Sequence, residues 1–466
     1  MKLCITGAGS SRLPLMMASV TKAIKACHVD DVTLFDIRPE RITALMPIGI
    51  ELSKHVGTPP RFRIAESFAD AVEGCGALIL TIRPGFEGQR ARDERTCLNL
   101  GVLGQETTGP AGFAFATRTI PAVTSYCAVA ERLAPGFLPV IFTNPAGMVT
   151  QALHDEGFSR AVGICDSATE ATKKVARLTG ANFDDLTFEV SGLNHLSWTR
   201  KITDAGGKDL LTPALQDVDF LKKALPWYHD EVRGSGRIPV EYLYYFLRAE
   251  EALSSILAEG QSRGEAIVTT NANLFNDIKG VDTAAATIRY AQYLFNRNDT
   301  YMSYALGHRH GGNGPATMEA ALKYLENEIG GYAEVAMELL AGTTASATAS
   351  ADDHARPKIM ALNVINGTSI PELDPTDVVE TDCIVDSTGI RPTNHGRMPP
   401  EDAALVCAVK EYERLAVSSI LMAMKGGRRA ALVKAEDALT AHPLVPGRDM
   451  ARQLVRELKL FREGGF

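Results

Sequence analysis

The stretch Lys2-Leu-Cys-Ile-Thr-Gly7-Ala-Gly9-Ser10-Ser11-Arg12 decides the fold. A short apolar run ends in two glycines one residue apart, and a helical pattern follows over residues 14–27. Glycine at 7 permits a tight turn, and glycine at 9 lets backbone N–H groups approach a pyrophosphate at the N-terminus of the helix. The third fingerprint position carries Arg12 instead of glycine. Asp36 closes the next apolar strand, where a carboxylate accepts hydrogen bonds from the ribose hydroxyls of a dinucleotide. Strand, glycine turn, helix, strand and acid in this order predict NAD binding through Gly7, Gly9, Ser10, Ser11 and Asp36, with Arg83 as a further cofactor contact. An acid at 36 favours NAD over its phosphorylated form, and Arg38 two residues on counts against that preference.

Outward from this turn, residues 32–36, 77–82, 138–143 and 161–165 read as further apolar strands, with helical stretches such as 120–132 between them. Strands alternating with helices imply a parallel sheet with right-handed crossovers. The fold class is therefore α/β, with a Rossmann-type dinucleotide-binding domain over residues 1–165. Residues 166–466 read as a mixed α+β domain for metal, substrate and oligomerisation. Within it, 186–198 looks like a strand ending in a loop, and 243–340 is mostly helical. Residues 340–353 are small and polar, as in a loop; 358–386 has strand character with a turn at Asn366-Gly367; 402–460 is helical. His308-Arg309-His310 reads as a surface loop. The site is expected in the cleft between the domains.

A chain of 466 residues is too long for one compact core. Its 45% hydrophobic and 22% charged content is that of a soluble globular enzyme. The net charge of −8 argues against a nucleic-acid partner, because neutralising phosphates takes a basic face. No window of about 18 uninterrupted apolar residues appears, so no membrane span is predicted. The N-terminus runs directly into the glycines without a basic segment and apolar core of an export signal. The eight cysteines are scattered and read as reduced thiols, and the expected location is the cytoplasm.

Three polar segments follow apolar strands, where parallel-sheet enzymes place their sites. The first is Arg83-Pro-Gly-Phe-Glu-Gly-Gln-Arg90-Ala-Arg92-Asp93-Glu94, continuing to Gly104-Gln105-Glu106-Thr-Thr-Gly109. The second is Thr143-Asn144-Pro145-Ala-Gly147. The third is Gly163-Ile-Cys165-Asp166-Ser167, with Gly192-Leu-Asn194-His195-Leu-Ser-Trp198 further on. Cys165 and His195 both end strands and could converge on a divalent ion, leaving positions open for substrate oxygens. Their spacing matches no closed zinc site, and it leaves open a buried thiol and an ordinary polar histidine.

These segments resemble glycoside hydrolase family 4, the NAD- and manganese-dependent glycosidases that depart from two-carboxylate hydrolysis. The resemblance runs from Lys2 to about Leu458 and includes Ile238-Pro-Val-Glu-Tyr242-Leu-Tyr244-Tyr-Phe and Lys410-Glu-Tyr-Glu-Arg-Leu-Ala. It implies that Cys165 and His195 hold Mn2+ or another divalent metal, which chelates O2 and O3 of the sugar. NAD takes hydride from C3, Tyr242 removes the acidified C2 proton, and the C1 substituent leaves by elimination. Water then adds and the retained NADH reduces C3. Asp166 corresponds to the position that assists the leaving group. Arg90, Glu106, Asn144, Asp166 and Asn194 correspond to substrate-binding positions, Glu106 there orienting the water or the metal shell.

The branch most resembled is that of 6-phospho-β-glucosidases. Three departures bear on the phosphate: Asp166-Ser-Ala follows the metal cysteine where that branch has Asn-Val-Pro, Tyr244 replaces an arginine, and Glu328-Ile-Gly-Gly331 lacks a preceding basic residue. Arg12 could compensate. A different C6 group — neutral, carboxylate or sulfonate — is the alternative substrate. A net NAD-dependent dehydrogenase of a sugar or hydroxy acid is the alternative activity, and a non-enzymatic NAD sensor is a third. The partner expected is a small-molecule glycoside, and the resemblance implies a homodimer or homotetramer.

Overall fold

A computed structural model describes residues 1–302, 305, 312, 314–344 and 357–461. Six parallel strands open the molecule: β1 (Lys2–Thr6), β2 (Asp31–Phe35), β3 (Arg61–Ile64), β4 (Ala77–Leu80), β5 (Leu138–Ile141) and β6 (Val162–Ile164). They lie in the order β3-β2-β1-β4-β5-β6, that of a dinucleotide-binding sheet. Seven helices accompany them: α1 (Leu13–Cys27), α2 (Pro39–Val56), α3 (Phe68–Val72), α4 (Phe86–Asn99), α5 (Pro110–Leu133), α6 (Ala146–Asp155) and α7 (Ser167–Thr179). Apart from the edge strand β3, the strands are largely apolar on both faces because helices cover both. Leu3 and Ile5 of β1 pack into one core, with α1 and α2, while Cys4 between them packs into the other, with α5 and α6.

The sheet does not stop at β6. An antiparallel extension adds β10 (Lys358–Ile365), β11 (Val378–Asp386), β7 (Thr187–Leu193), β8 (Leu196–Thr203) and β9 (Ile238–Pro239), and β12 (Gly389–Pro392) pairs with β11. The joint is Leu362 opposite Ile164 and Asn363 opposite Gly163. Helices Pro400–Met424, Arg428–Ala441 and Arg448–Glu457 close one face of the molecule. Among the described residues no helix is long and apolar enough to cross a membrane.

Several local expectations change. Helix α5 begins at Pro110, ten residues before the expected start; Pro121 lies inside it, and Pro110 occupies the first-turn position where a missing N–H costs nothing. Residues 187–203 form a β-hairpin rather than a strand and loop, because Asn194 and His195 make a two-residue turn between Leu193 and Leu196. Short, half-polar β3 carried no clear pattern. The helix Gly331–Thr344 takes in the first residues of the expected 340–353 loop; the rest of that loop, and His308-Arg309-His310, lie outside the described residues.

Candidate active site

A cavity of about 770 Å³ opens at the C-terminal ends of the parallel strands. One end is the glycine turn. Gly7 has φ +89°, and a Cβ there would lie 2.3 Å from the Thr81 carbonyl oxygen, so only glycine fits. The Asp36 carboxylate accepts from the Gly9 N–H at 2.8 Å and from the Arg38 N–H at 2.8 Å. A Cβ at Gly9 would lie 2.8 Å from Asp36 Cγ. Burial raises the Asp36 carboxyl, and those two N–H groups oppose the rise. Ser10 and Ser11 line the cavity at the start of α1. Ser11 Oγ accepts from Tyr293 Oη at 3.0 Å and from Arg297 at 3.2 Å, so helix Thr283–Asp299 braces the turn from above.

At the other end Cys165 and His195 meet. Cys165 follows β6, and His195 sits in the β7–β8 turn with φ +62°. Cys165 Sγ lies 3.3 Å from His195 Nε2, and Thr107 Oγ1 lies 2.7 Å from the other ring nitrogen, Nδ1. Two donors bound to one ion at about 2.3 Å (sulfur) and about 2.1 Å (nitrogen) would sit roughly 3.1–3.6 Å apart at octahedral to tetrahedral angles. The observed separation fits. Burial pulls the His195 imidazole down to about 4 against the pull of Glu106, leaving the neutral ring that a metal needs. Burial, then Glu380 and Asp166, push the Cys165 thiol up, so a cation beside it is what would make it a thiolate. Among the described residues no cluster of three or more His, Cys, Asp or Glu is suited to a metal, so this pair would leave coordination positions open.

Around the pair is a layer of charge. Glu106 pairs with Arg83 at 2.5 Å and with Arg90, which also reaches Glu94 at 2.7 Å. Burial alone would raise the Glu106 carboxyl, but Arg83 and Arg90 outweigh it and hold it at about 2. The Tyr242 ring stacks on His195, centroids 3.8 Å apart and 3° from parallel. Its hydroxyl lies 2.8 Å from Tyr301 Oη, which donates to Glu241 at 2.8 Å. Burial, then Glu241, push the Tyr242 phenol well up, so it needs a nearby positive charge to act as a base. Asp166 is raised by burial, with Arg12 opposing.

Gly7, Gly9, Ser10, Ser11, Asp36, Arg83, Arg90, Glu106, Asn144, Cys165, Asp166, His195 and Tyr242 all line this one cavity. Asn194 does not: its amide donates to Glu380 at 3.0 Å. Sequence reasoning passed over Thr107, which stood inside Gly104–Gly109 but shows its role only once His195 is folded against it. It also passed over Glu241 and Tyr301. Glu380 did carry a signal, as one of two acids, with Asp382, set between the apolar pairs of the strand Val378–Asp386.

The family model "Family 4 glycosyl hydrolase" matches residues 2–181, and "Family 4 glycosyl hydrolase C-terminal domain" matches residues 190–445. A probable 6-phospho-beta-glucosidase of Bacillus subtilis is 26% identical, covering 98% of this chain and 95% of its own. A 6-phospho-alpha-glucosidase of Lacticaseibacillus paracasei is 24% identical, covering 97% and 95%. Among solved structures, the 6-phospho-beta glucosidase of Thermotoga maritima with manganese, NAD+ and glucose-6-phosphate is 25% identical, with TM-score 0.76 over 98% of this chain and 97% of that one. A 6-phospho-alpha-glucosidase from gut microorganisms, with NAD and Mn2+, superposes with TM-score 0.77 at 20% identity, covering 100% and 98%. The glycine turn, the Cys165–His195 pair and the stacked Tyr242 thus lie in a chain that belongs to glycosyl hydrolase family 4.

Proposed function

We propose that this chain cleaves a 6-phospho-β-glucoside by transient oxidation at C3, proton removal at C2, elimination of the C1 substituent, water addition and re-reduction. One observation carries the proposal: the glycine turn, the Cys165–His195 pair and Tyr242 line a single cavity. NAD, when bound, supplies the hydride acceptor, and a divalent ion such as Mn2+ supplies Lewis acidity. The residues present fit both. Gly7 and Gly9 keep the turn that would cradle a pyrophosphate tight against Thr81 and Asp36, and Asp36 would accept from the ribose hydroxyls. Cys165 and His195 are spaced as two donors of one ion.

The chain's own groups then divide the work. Arg90, Glu106 and Asn144 hold the sugar. Tyr242, fixed by its stack on His195, takes the C2 proton. Asp166, whose raised carboxyl keeps a proton toward higher pH, hands it to the departing oxygen. The names of the relatives support a 6-phosphate substrate. A second reading keeps the mechanism and replaces the phosphate with a neutral, carboxylate or sulfonate C6 group. It is favoured by Tyr244, which is buried against Trp227 instead of offering a charged donor to the cavity.

The test is a panel of glycosides differing only at C6 and in anomeric configuration, with NAD and Mn2+. Preference for the 6-phospho-β-glucoside supports the proposal; equal turnover of the unphosphorylated glycoside overturns the phosphate assignment. Net NADH accumulation without glycosidic cleavage would indicate a dehydrogenase. Cytoplasmic location and a homodimeric or homotetrameric assembly belong to the same proposal, and sedimentation of the purified chain checks the latter.

A further inference from the structure

His195 occupies a turn position that side chains rarely adopt, φ +62°. The hairpin around it is tight: a Cβ at Gly192 would fall 2.2 Å from the Leu196 carbonyl oxygen. One buried carboxylate clamps both sides of this turn. Glu380 Oε1 accepts from Asn194 Nδ2 at 3.0 Å, and Oε2 accepts from Ser197 Oγ at 2.9 Å. Asn363 Nδ2, from the neighbouring strand β10, adds a third bond to Oε1 at 3.3 Å. Glu380 stands on β11 opposite Gly192, so the clamp is anchored in the sheet and not in the hairpin itself. It is 1% exposed. Its three donors are neutral, so the acid is kept in the interior at the cost of desolvation. An apolar side chain would fill the space more cheaply but would leave the Asn194–His195 turn untethered.

We propose that Glu380 is a positioning residue that, through Asn194 and Ser197, holds the His195 imidazole at coordinating distance from the Cys165 sulfur. Asn194 then serves the metal pair from behind instead of contacting sugar. Groups bonded directly to a metal ligand, as Thr107 is to His195, typically change metal affinity about 10–100-fold when lost, and Glu380, which reaches His195 through its chain neighbours, is set at the lower end of that range. The inference rests on Cys165 and His195 being the metal pair.

The experiment is Mn2+ titration of the full-length protein by calorimetry and by Mn2+ EPR, with folding checked by circular dichroism. Cys165→Ala tests the pair itself: if Mn2+ binding survives it, the metal assignment fails whatever Glu380 does. With that control satisfied, Glu380→Ala is expected to weaken Mn2+ about 10-fold or more. Glu380→Gln, which keeps the shape and can satisfy Ser197 by reversal of its hydroxyl, recovers most of the loss. Affinity within about twofold of wild type in folded Glu380→Ala overturns the proposal, as does a Gln variant no tighter than the Ala variant. Should Glu380→Ala not fold, Asn194→Ala and Ser197→Ala each remove one bond; about threefold weakening in either supports the clamp, and unchanged affinity in both overturns it.

Discussion

At the scale of single residues, Gly7 and Glu106 are the positions where one substitution should change the most. Any side chain at 7 meets the backbone of Thr81 and must adopt φ +89°. Gly7→Ala is expected to cost more than about 1 kcal/mol of stability and to abolish measurable NAD binding, read by denaturant unfolding and cofactor fluorescence. Glu106→Gln leaves Arg83 and Arg90 facing each other without their shared counter-charge. The expected loss is about 3 kcal/mol near neutral pH. The sign follows from the depressed carboxyl: the stabilisation is present above the unfolded value, near 4.3, and fades as pH falls through about 2. The gap between wild type and variant should therefore close in strong acid. A gap independent of pH would show that charge pairing is not the cause. Gly7, Gly9 and Asp36 were legible in the sequence because backbone geometry dictates their types. The role of Glu380 was not, because its partners come from 17, 183 and 186 residues away and an acid within a strand does not by itself name them.

At the scale of elements, the chain after β12 is pinned by His395. Its Nε2 lies 2.9 Å from both Asp382 oxygens, and Nδ1 faces Glu189 at 3.6 Å. The hydrogen bond to Asp382 raises this imidazole, against burial. A raised folded value means that the contribution is complete below about pH 6.5 and is lost as pH rises through the folded pKa. His395→Ala should cost roughly 1.5–3 kcal/mol at pH 5.5 and less at pH 9, measured by urea unfolding at both. A cost that grows with pH would contradict the assignment. Elements with strong periodicity were readable in advance, among them β1, α1, β2 and β4. The hairpin at residues 187–203 was not, since a two-residue turn of Asn194 and His195 lacks the glycine that usually marks it. The helical stretch 120–132 lies inside α5 but begins ten residues late, next to Pro121, which resembles a start signal and is tolerated inside the helix.

At the scale of the whole molecule, the parallel sheet and its antiparallel extension are one hydrogen-bonded surface, joined where β10 meets β6. The cavity draws Cys165 from one side of that joint and His195 from the other. We therefore expect both halves to unfold together: fluorescence from Trp198 and Trp227, both in the second half, should trace the same urea transition as far-UV circular dichroism. Separate midpoints would show two independent units. That Cys165 and His195 end strands already suggested that they could converge, but their spacing left a buried thiol and an ordinary histidine equally open until the family resemblance was added; the sheet supplies the physical reason for their meeting, bringing two strand ends 30 residues apart to 3.3 Å. The central claim is that Tyr242, stacked on His195, removes the C2 proton during a redox-neutral cycle. Turnover in D2O with NAD and Mn2+, followed by NMR of the released sugar, tests it directly. Deuterium at C2 with no net NADH, and loss of that exchange in Tyr242→Phe, is the expected result; cleavage with C2 still fully protonated would rule out proton removal there.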